Sequence, residues 1–347
     1  MARMRSIAAP ALAAALAVLP AAPAAADPVP VPSGTPAEDL PDGSEELFRM
    51  SDPRIVESSG LAASRLHDGV YWTHNDSGDY GPEVYAVDST GATVATVTLS
   101  GAGVEVRDWE AIAVGTDAEG APAVYVGDIG DNFQGGWPDI RVYRFTEPAE
   151  LGDTAVEATT FTLAYADGGR DAEAMMVDPR DGRLYVVSKE VAGGVYAAPE
   201  RLDPEGVNTL TRVDSAPLYA TDASFSPDGA HYAIRTYWGA TLYDAADGVS
   251  GRSVDRIGLP ELDQGESLAF DHDGASVLAG TEGPGSPVWR VPLPAVGAGP
   301  SPEAAEEPEA TAAPAERGGA GASPLIWTGV GLAAVLIGGI ALLVRRA

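Results

Sequence analysis

Glu110, Glu173 and Glu266 each stand just before the apolar part of a short segment, in WEAIAVG (109–115), AEAMMVD (172–178) and GESLAFD (265–271). Two further segments of the same form, SSGLAAS (58–64) and TDASFS (221–226), carry Ser59 and Thr221 at the aligned position. Carboxylates gathered at one place raise each other's pKa unless a cation lies among them. A divalent cation relieves that repulsion, and Ca2+ accepts mixed Asp, Glu, Asn and carbonyl oxygens. The loop GDIGDN (127–132) supplies such donors between two glycines that permit tight turns. The metal set expected is therefore Glu110, Asp128, Asp131, Asn132 and Glu173, with Ca2+ as the ion and no organic cofactor. The spacing is not that of an EF-hand, and the same side chains also serve as turn caps in many loops.

Catalysis is the alternative. Carboxylates whose environments separate their pKa values divide general acid and base roles, as glycoside hydrolysis requires. Glu110, Glu173 and Glu266 would then be the catalytic residues of a hydrolase acting on a wall glycan or phosphoester. Asp76, Arg107, Asp108, Lys189, Glu190, Arg235, Trp238 and Glu282 fall on loops beside them and are the candidate ligand contacts. No GxSxG, HExxH, P-loop or dinucleotide-binding context occurs.

Five repeated units must position these groups. Each begins with one of the five segments above and continues through a turn: HDG (67–69), DAEG (117–120), RDG (180–182), PDG (227–229) or HDG (272–274). Such turns between alternating apolar runs mark hairpins. Second strands follow at 70–76, 123–128, 183–189, 231–237 and 276–282, and third strands at EVYAVD, IRVYRF, GVYAAP, ATLYDA and PVWRVP. Fourth strands are readable in four units, at ATVTL, TTFTLAY, TRVDSA and VDRIGL. Four antiparallel strands per repeat predict an all-β fold, a β-propeller of five blades, with six as an alternative and a β-sandwich as the rival architecture. The segment LFRMSDPRIV (47–56) is expected to supply the missing strand of the fifth blade and close the ring. First strands of a propeller line the central channel, so the aligned glutamates would ring its mouth.

The remaining segments read as targeting. Residues 1–26 resemble a secretory signal, with Arg3 and Arg5, an apolar run and Ala24-Ala25-Ala26 before Asp27. Residues 27–45 form a polar, flexible stretch, and 46–295 the propeller ectodomain. Residues 296–323 are a Pro/Ala/Glu tether reaching up to about 90–100 Å when extended. Residues 324–344 form an apolar transmembrane helix, and 345–347 a cytoplasmic tail opening with Arg345 and Arg346. The expectation is a single-pass cell-membrane protein with its N-terminal domain outside.

Composition narrows the partners. The chain carries 51 acidic against 21 basic residues, for a net charge of −30, and Lys189 is its one lysine. That balance argues against nucleic acid, whose binding needs cations. The absence of cysteine excludes disulfides, thiolate catalysis and Cys-ligated metal sites.

The run ESSGLA, YWTHNDSGD, RDWEAIAVG and VYVGDIGDN, within residues 55–190, resembles a family of uncharacterised secreted bacterial β-propellers carrying DWE, GDIGDN and HNDSGD motifs. It is similar in style to the SdiA-regulated and phytase-like-esterase propeller groups. The resemblance implies a propeller with metal-dependent or phosphoester-type activity. From the residues themselves, the leading expectation is binding of a cation, and of a polar small molecule, glycan or protein partner, at the acidic channel mouth.

Overall fold

A computed structural model describes residues 35–76, 80–132 and 135–293. The signal segment, the tether, the apolar segment 324–344 and the tail lie outside the described residues, as do 27–34 and 77–79. Among the described residues no helix is long and apolar enough to cross a membrane. The chain here is β-strand and turn, with one 3-10 turn at Ala37–Asp39.

Among the described residues, twenty-one strands build five antiparallel blades, two of them joined edge to edge in one sheet of eight strands. Strand β1 (Glu45–Arg49) comes first in the chain and belongs to the last sheet. The first sheet is β2 (Ser58–Ala63), β3 (Val70–Asn75), β4 (Glu83–Asp88) and β5 (Thr93–Ser100). The second is β6 (Trp109–Thr116), β7 (Pro122–Asp128), β8 (Ile140–Thr146) and β10 (Thr159–Tyr165), while β9 (Thr154–Glu157) runs parallel to β5 at the edge of the first. The third is β11 (Ala172–Val177), β12 (Leu184–Ser188), β13 (Gly194–Ala197) and β14 (Val207–Ser215). The fourth is β15 (Ala220–Phe225), β16 (His231–Thr236), β17 (Gly239–Asp244) and β18 (Ser253–Ile257). The fifth is β19 (Leu268–Phe270), β20 (Ser276–Ala279) and β21 (Pro287–Pro292), completed by β1 in antiparallel pairing with β21.

The innermost strands neighbour one another in the closed order β2, β6, β11, β15, β19 and back to β2. The arrangement is a β-propeller of five blades. Closure comes from Glu45–Arg49, at the start of and just ahead of the expected 47–56 segment. Blades two and three are also joined at their outer edges, where β10 and β14 pair in parallel over Thr162–Tyr165 and Val207–Leu210.

Packing follows from the period-two alternation of strands. There are five apolar clusters, one between each pair of adjacent blades. In β12, Leu184 and Val186 enter the cluster shared with blade two, and Tyr185 and Val187 the cluster shared with blade four. Both faces of an inner strand are covered, so these strands read as near-continuous apolar runs. Trp72 and Trp109 are fully buried between blades one and two. The five turn glycines, Gly69, Gly120, Gly182, Gly229 and Gly274, all have φ between 67° and 85°, the left-handed region the hairpins require. Thr35 donates its backbone N–H to Leu259 O and pairs with Pro260, so the described part of the 27–45 stretch lies against the propeller.

Phe48 of the closing strand is buried against the Tyr71 ring, 5.6 Å away, in the cluster between blades five and one. Phe48→Ala is expected to cost about 3–5 kcal/mol. Glu46→Ala on the same strand, at an exposed ion pair with Arg49, is expected to stay within about 0.5 kcal/mol. Denaturant midpoints compare the two, and equal shifts would refute closure by β1.

Candidate functional site

Four of the five aligned positions share a local device. Pairing with the second strand slips between Ser58 and Gly60, between Trp109 and Ala111, between Ala172 and Ala174, and between Ala220 and Asp222. Ser59, Glu110, Glu173 and Thr221 are the residues left out of register. A bulge frees one residue from the ladder and re-aims its side chain. Glu266, the fifth, lies two residues before β19. All five are buried, the glutamates at 5–7% exposure.

The first group of carboxylates is Asp76, Asp108 and Glu110. Each can offer an oxygen such that all three lie within 4.8 Å of one another. Asp76 leaves the end of β3 and Asp108 enters β6, so two blades contribute. Ser59 donates to Glu110 Oε2 at 3.1 Å. Burial first, then repulsion from Glu173, Asp76, Asp108 and Glu266, holds the Glu110 carboxyl well above the usual range. Gly130 makes the approach feasible: a Cβ there would stand 2.6 Å from Asp108 Oδ2 and 2.8 Å from Glu110 Cγ.

The GDIGDN loop is tied by hydrogen bonds to the residues around it. Asp128 accepts from Arg107 Nε at 3.1 Å, from the Asp108 N–H at 3.1 Å and from Tyr143 OH at 2.8 Å. Asp131 Oδ2 accepts from the Trp137 N–H at 2.7 Å, and the Asp131 N–H donates to Asp171 Oδ1 at 2.9 Å. Asn132 Nδ2 donates to both Asp108 oxygens, at 3.1 and 3.2 Å. The loop thus braces Asp108. Among the described residues, the carboxylates that gather are Asp76, Asp108 and Glu110, and of the expected metal set only Glu110 belongs to that group.

The second group lies across the mouth. Lys189 forms an ion pair with Glu173 Oε1, and Tyr237 OH donates to Glu266 Oε1 at 3.4 Å. The Lys189 ammonium is 5.2 Å from the Tyr237 ring centre. Glu173 Oε2 and Glu266 Oε2 are buried without a partner. Burial and the neighbouring Glu266 raise Glu173 well above the usual carboxylate range, against the pull of Lys189. For Lys189, burial opposes the charge, but Glu173 and Glu266 outweigh it and raise its pKa. Glu282 accepts from Gln264 Nε2 at 2.8 Å. Burial, then Glu266, Asp76 and Glu57, push it up to about 8.

The remaining candidates divide between support and surface. Arg235 is buried and donates to Ser267 O and, at 2.8 Å, to Gly280 O, which fixes the segment carrying Glu266. Burial lowers its pKa to about 10, with Glu266 and Asp222 opposing. Asp222 assists, accepting from the Leu268 and Ala223 N–H groups. Arg107, paired with Asp128, lies over the Trp137 ring. Glu190 accepts from Arg170 at 3.1 Å and from Ser188 Oγ at 2.9 Å. Trp238 is 42% exposed beside Tyr219. Ser59 shares the aligned position with the glutamates, yet its residue type gave no sign of the contact it makes with Glu110.

The opposite end of the channel holds a cavity of about 230 Å³, lined by inner-strand residues such as Leu61, Ile112, Met176, Phe225 and Phe270. The grouped carboxylates are not part of its lining.

No family model and no curated protein matches this chain. Similar solved structures include a gluconolactonase from Xanthomonas campestris, at 17% identity over 76% of this chain and 94% of that one, with a TM-score of 0.44. The WD40 repeats of RRP9 are similar at 9% identity over 76% and 100%, with a TM-score of 0.38. Kuenenia stuttgartiensis hydrazine synthase is similar at 14% identity over 65% of this chain, with a TM-score of 0.36, and this chain spans 56% of that one.

Glu282 keeps its proton in the folded state up to about pH 8, against an ordinary value of 4.5. The folded state therefore binds more protons than the unfolded chain across that window, and stability falls as pH rises through it. Glu282→Gln removes this titration and is expected to flatten the fall. Thermal melts in a chelator from about pH 5 to about pH 8.5 check it; an unchanged slope would show that Glu282 does not hold its proton.

Proposed function

We propose that the acidic face binds a divalent cation through Asp76, Asp108 and Glu110, and through that cation a polar, oxygen-rich ligand. The observation that carries this reading is the convergence of three carboxylates from two blades within 4.8 Å, under a glycine whose missing side chain leaves room for two of them. All-oxygen donors suit a hard ion. Ca2+ fits best because it tolerates irregular geometry and varied ligand number, whereas Mg2+ demands a near-ideal octahedron. Asn132, hydrogen-bonded to both Asp108 oxygens, orients that ligand, as the outer shell of a metal site does.

A second reading is a hydrolase acting on a wall glycan or phosphoester. It is supported by Glu173 and Glu266, whose buried Oε2 atoms have no partner, and by the raised pKa of Glu173. A carboxyl whose pKa burial raises is suited to general acid work.

The setting in this proposal is the outer face of a cell membrane. The apolar segment 324–344 followed by Arg345 and Arg346, the signal-like residues 1–26 and the tether 296–323 support it. Protease added to intact cells is expected to release the propeller; protection of the propeller would reverse the orientation.

Calcium at about 100 times its Kd is expected to stabilise the protein by about 2.7 kcal/mol, a rise of about 5–10 °C in Tm for a domain of this size. Asp108→Asn and Glu110→Gln should remove the rise, and Glu173→Gln should leave most of it. No shift with Ca2+, Mg2+ or Mn2+ would exclude the cation. Run on a glycan and phosphoester panel, the same proteins test hydrolysis. Turnover abolished by Glu173→Gln with the calcium shift intact would establish the second reading, and no turnover by the unsubstituted protein would exclude it for the panel's substrates.

A further inference from the structure

An aromatic surface continues from the second carboxylate group. The Tyr237 ring, whose hydroxyl reaches Glu266, meets Trp238 edge-on with centroids 6.3 Å apart. Trp238 in turn lies 6.3 Å from Tyr219, their planes tilted by 40°. Tyr219 and Trp238 are 37% and 42% exposed, and Leu218, next to Tyr219 in the chain, is exposed as well. Large aromatic rings left open next to a recessed polar site call for an explanation, because scattered exposure would not align two of them.

The backbone adds a second observation. Tyr219 has φ of +52°, a region that bulky residues seldom occupy. Its N–H donates to Glu190 O at 3.1 Å, tying the strained residue to the exit loop of blade three. Glycine would hold the same turn without strain. The chain keeps a ring there instead.

Charge decides what fits. The protein is strongly acidic, which would favour an organic cation on these rings. Next to the platform, however, the charges are already paired: Glu173 with Lys189, and Glu190 with Arg170. An anionic membrane is disfavoured by the net charge of −30. What remains is a neutral ring with one apolar face and many hydroxyls. Its C–H face stacks on Trp238 and Tyr219, and its hydroxyls meet the mixed donors and acceptors of Lys189, Glu190 and Tyr237.

We infer that the Tyr219–Trp238 platform is a saccharide subsite, stacking one pyranose ring of a glycan whose polar groups extend toward the carboxylates. This rests on the proposal of an oxygen-rich ligand but not on the cation itself.

The test uses the full chain with two neutral probes, a β-1,4-linked N-acetylglucosamine tetramer and an α-1,4-linked glucose tetramer, and with choline as the cationic control. Binding is read by calorimetry and by quenching of tryptophan fluorescence, with and without Ca2+. At least one tetramer is expected to bind and quench. Trp238→Ala should weaken it about tenfold, and Trp238→Phe should retain most of the affinity while losing the quench. Tyr219→Gly should weaken binding with Tm unchanged or raised, because it removes strain along with the ring. A fall in Tm with unchanged affinity would assign Tyr219 a structural role and overturn the subsite. Binding of choline in preference to both tetramers would also overturn it. A calcium shift without saccharide binding sinks this inference and leaves the cation reading; saccharide binding without a calcium shift does the reverse.

Discussion

The energetics of this propeller turn on carboxylates buried where the inner strands slip out of register. Two unit charges about 5 Å apart repel by about 3 kcal/mol at an effective dielectric near 20. Glu110, Glu173, Glu266 and Glu282 share one channel mouth, so the cost cannot be met by one partner. The fold answers it locally, with Lys189 on Glu173, Ser59 on Glu110, Tyr237 on Glu266 and Gln264 on Glu282. Burial and mutual repulsion also raise the pKa values of Glu110, Glu173 and Glu282. The rest of the molecule is what makes the strain tolerable: five apolar interfaces and a ring closed by β1. A bulge costs ladder hydrogen bonds, and only a frame this constrained repeats it at four aligned positions.

Much of that frame was legible in the sequence, because it is written in local chemistry. The turn glycines announced the hairpins, and all five adopt the positive φ that an Asp-Gly turn implies. The repeated strands announced the blades. The parallel edge pairings of β9 with β5 and of β10 with β14 were not legible, since they depend on which outer edges meet. The closing strand began two residues earlier than the apolar pattern suggested, because Glu45 and Glu46 pair with β21 through backbone groups that carry no side-chain signature.

The site was legible by position and not by partner. Aligned glutamates in a repeat lie at one mouth whatever their neighbours, so Glu110, Glu173 and Glu266 could be placed from sequence. What GDIGDN does could not. Composition offered Asp128, Asp131 and Asn132 as ligands. Asp128 is held by Arg107 and Tyr143, Asp131 Oδ2 by the Trp137 N–H, and Asn132 Nδ2 by Asp108, contacts between residues 6 to 24 apart that only the folded chain decides. The same limit applies to Arg235, which reads as a free cation and is instead locked onto blade five.

The division of the mouth into two unlike ends constrains any ligand. One end offers three converging carboxylates on blades one and two, and needs positive charge. The other offers paired charges and exposed rings on blades three and four, and needs none. Between them stand buried glutamates, and burial raises the pKa values of Glu110 and Glu173. A compact ion could satisfy the first end alone, and an apolar group the second alone. Under the proposed reading, an extended, hydroxyl-bearing molecule would use both ends. The whole-chain charge of −30 is therefore a poor guide to the ligand; the local balance around Lys189 and Arg170 is the informative quantity.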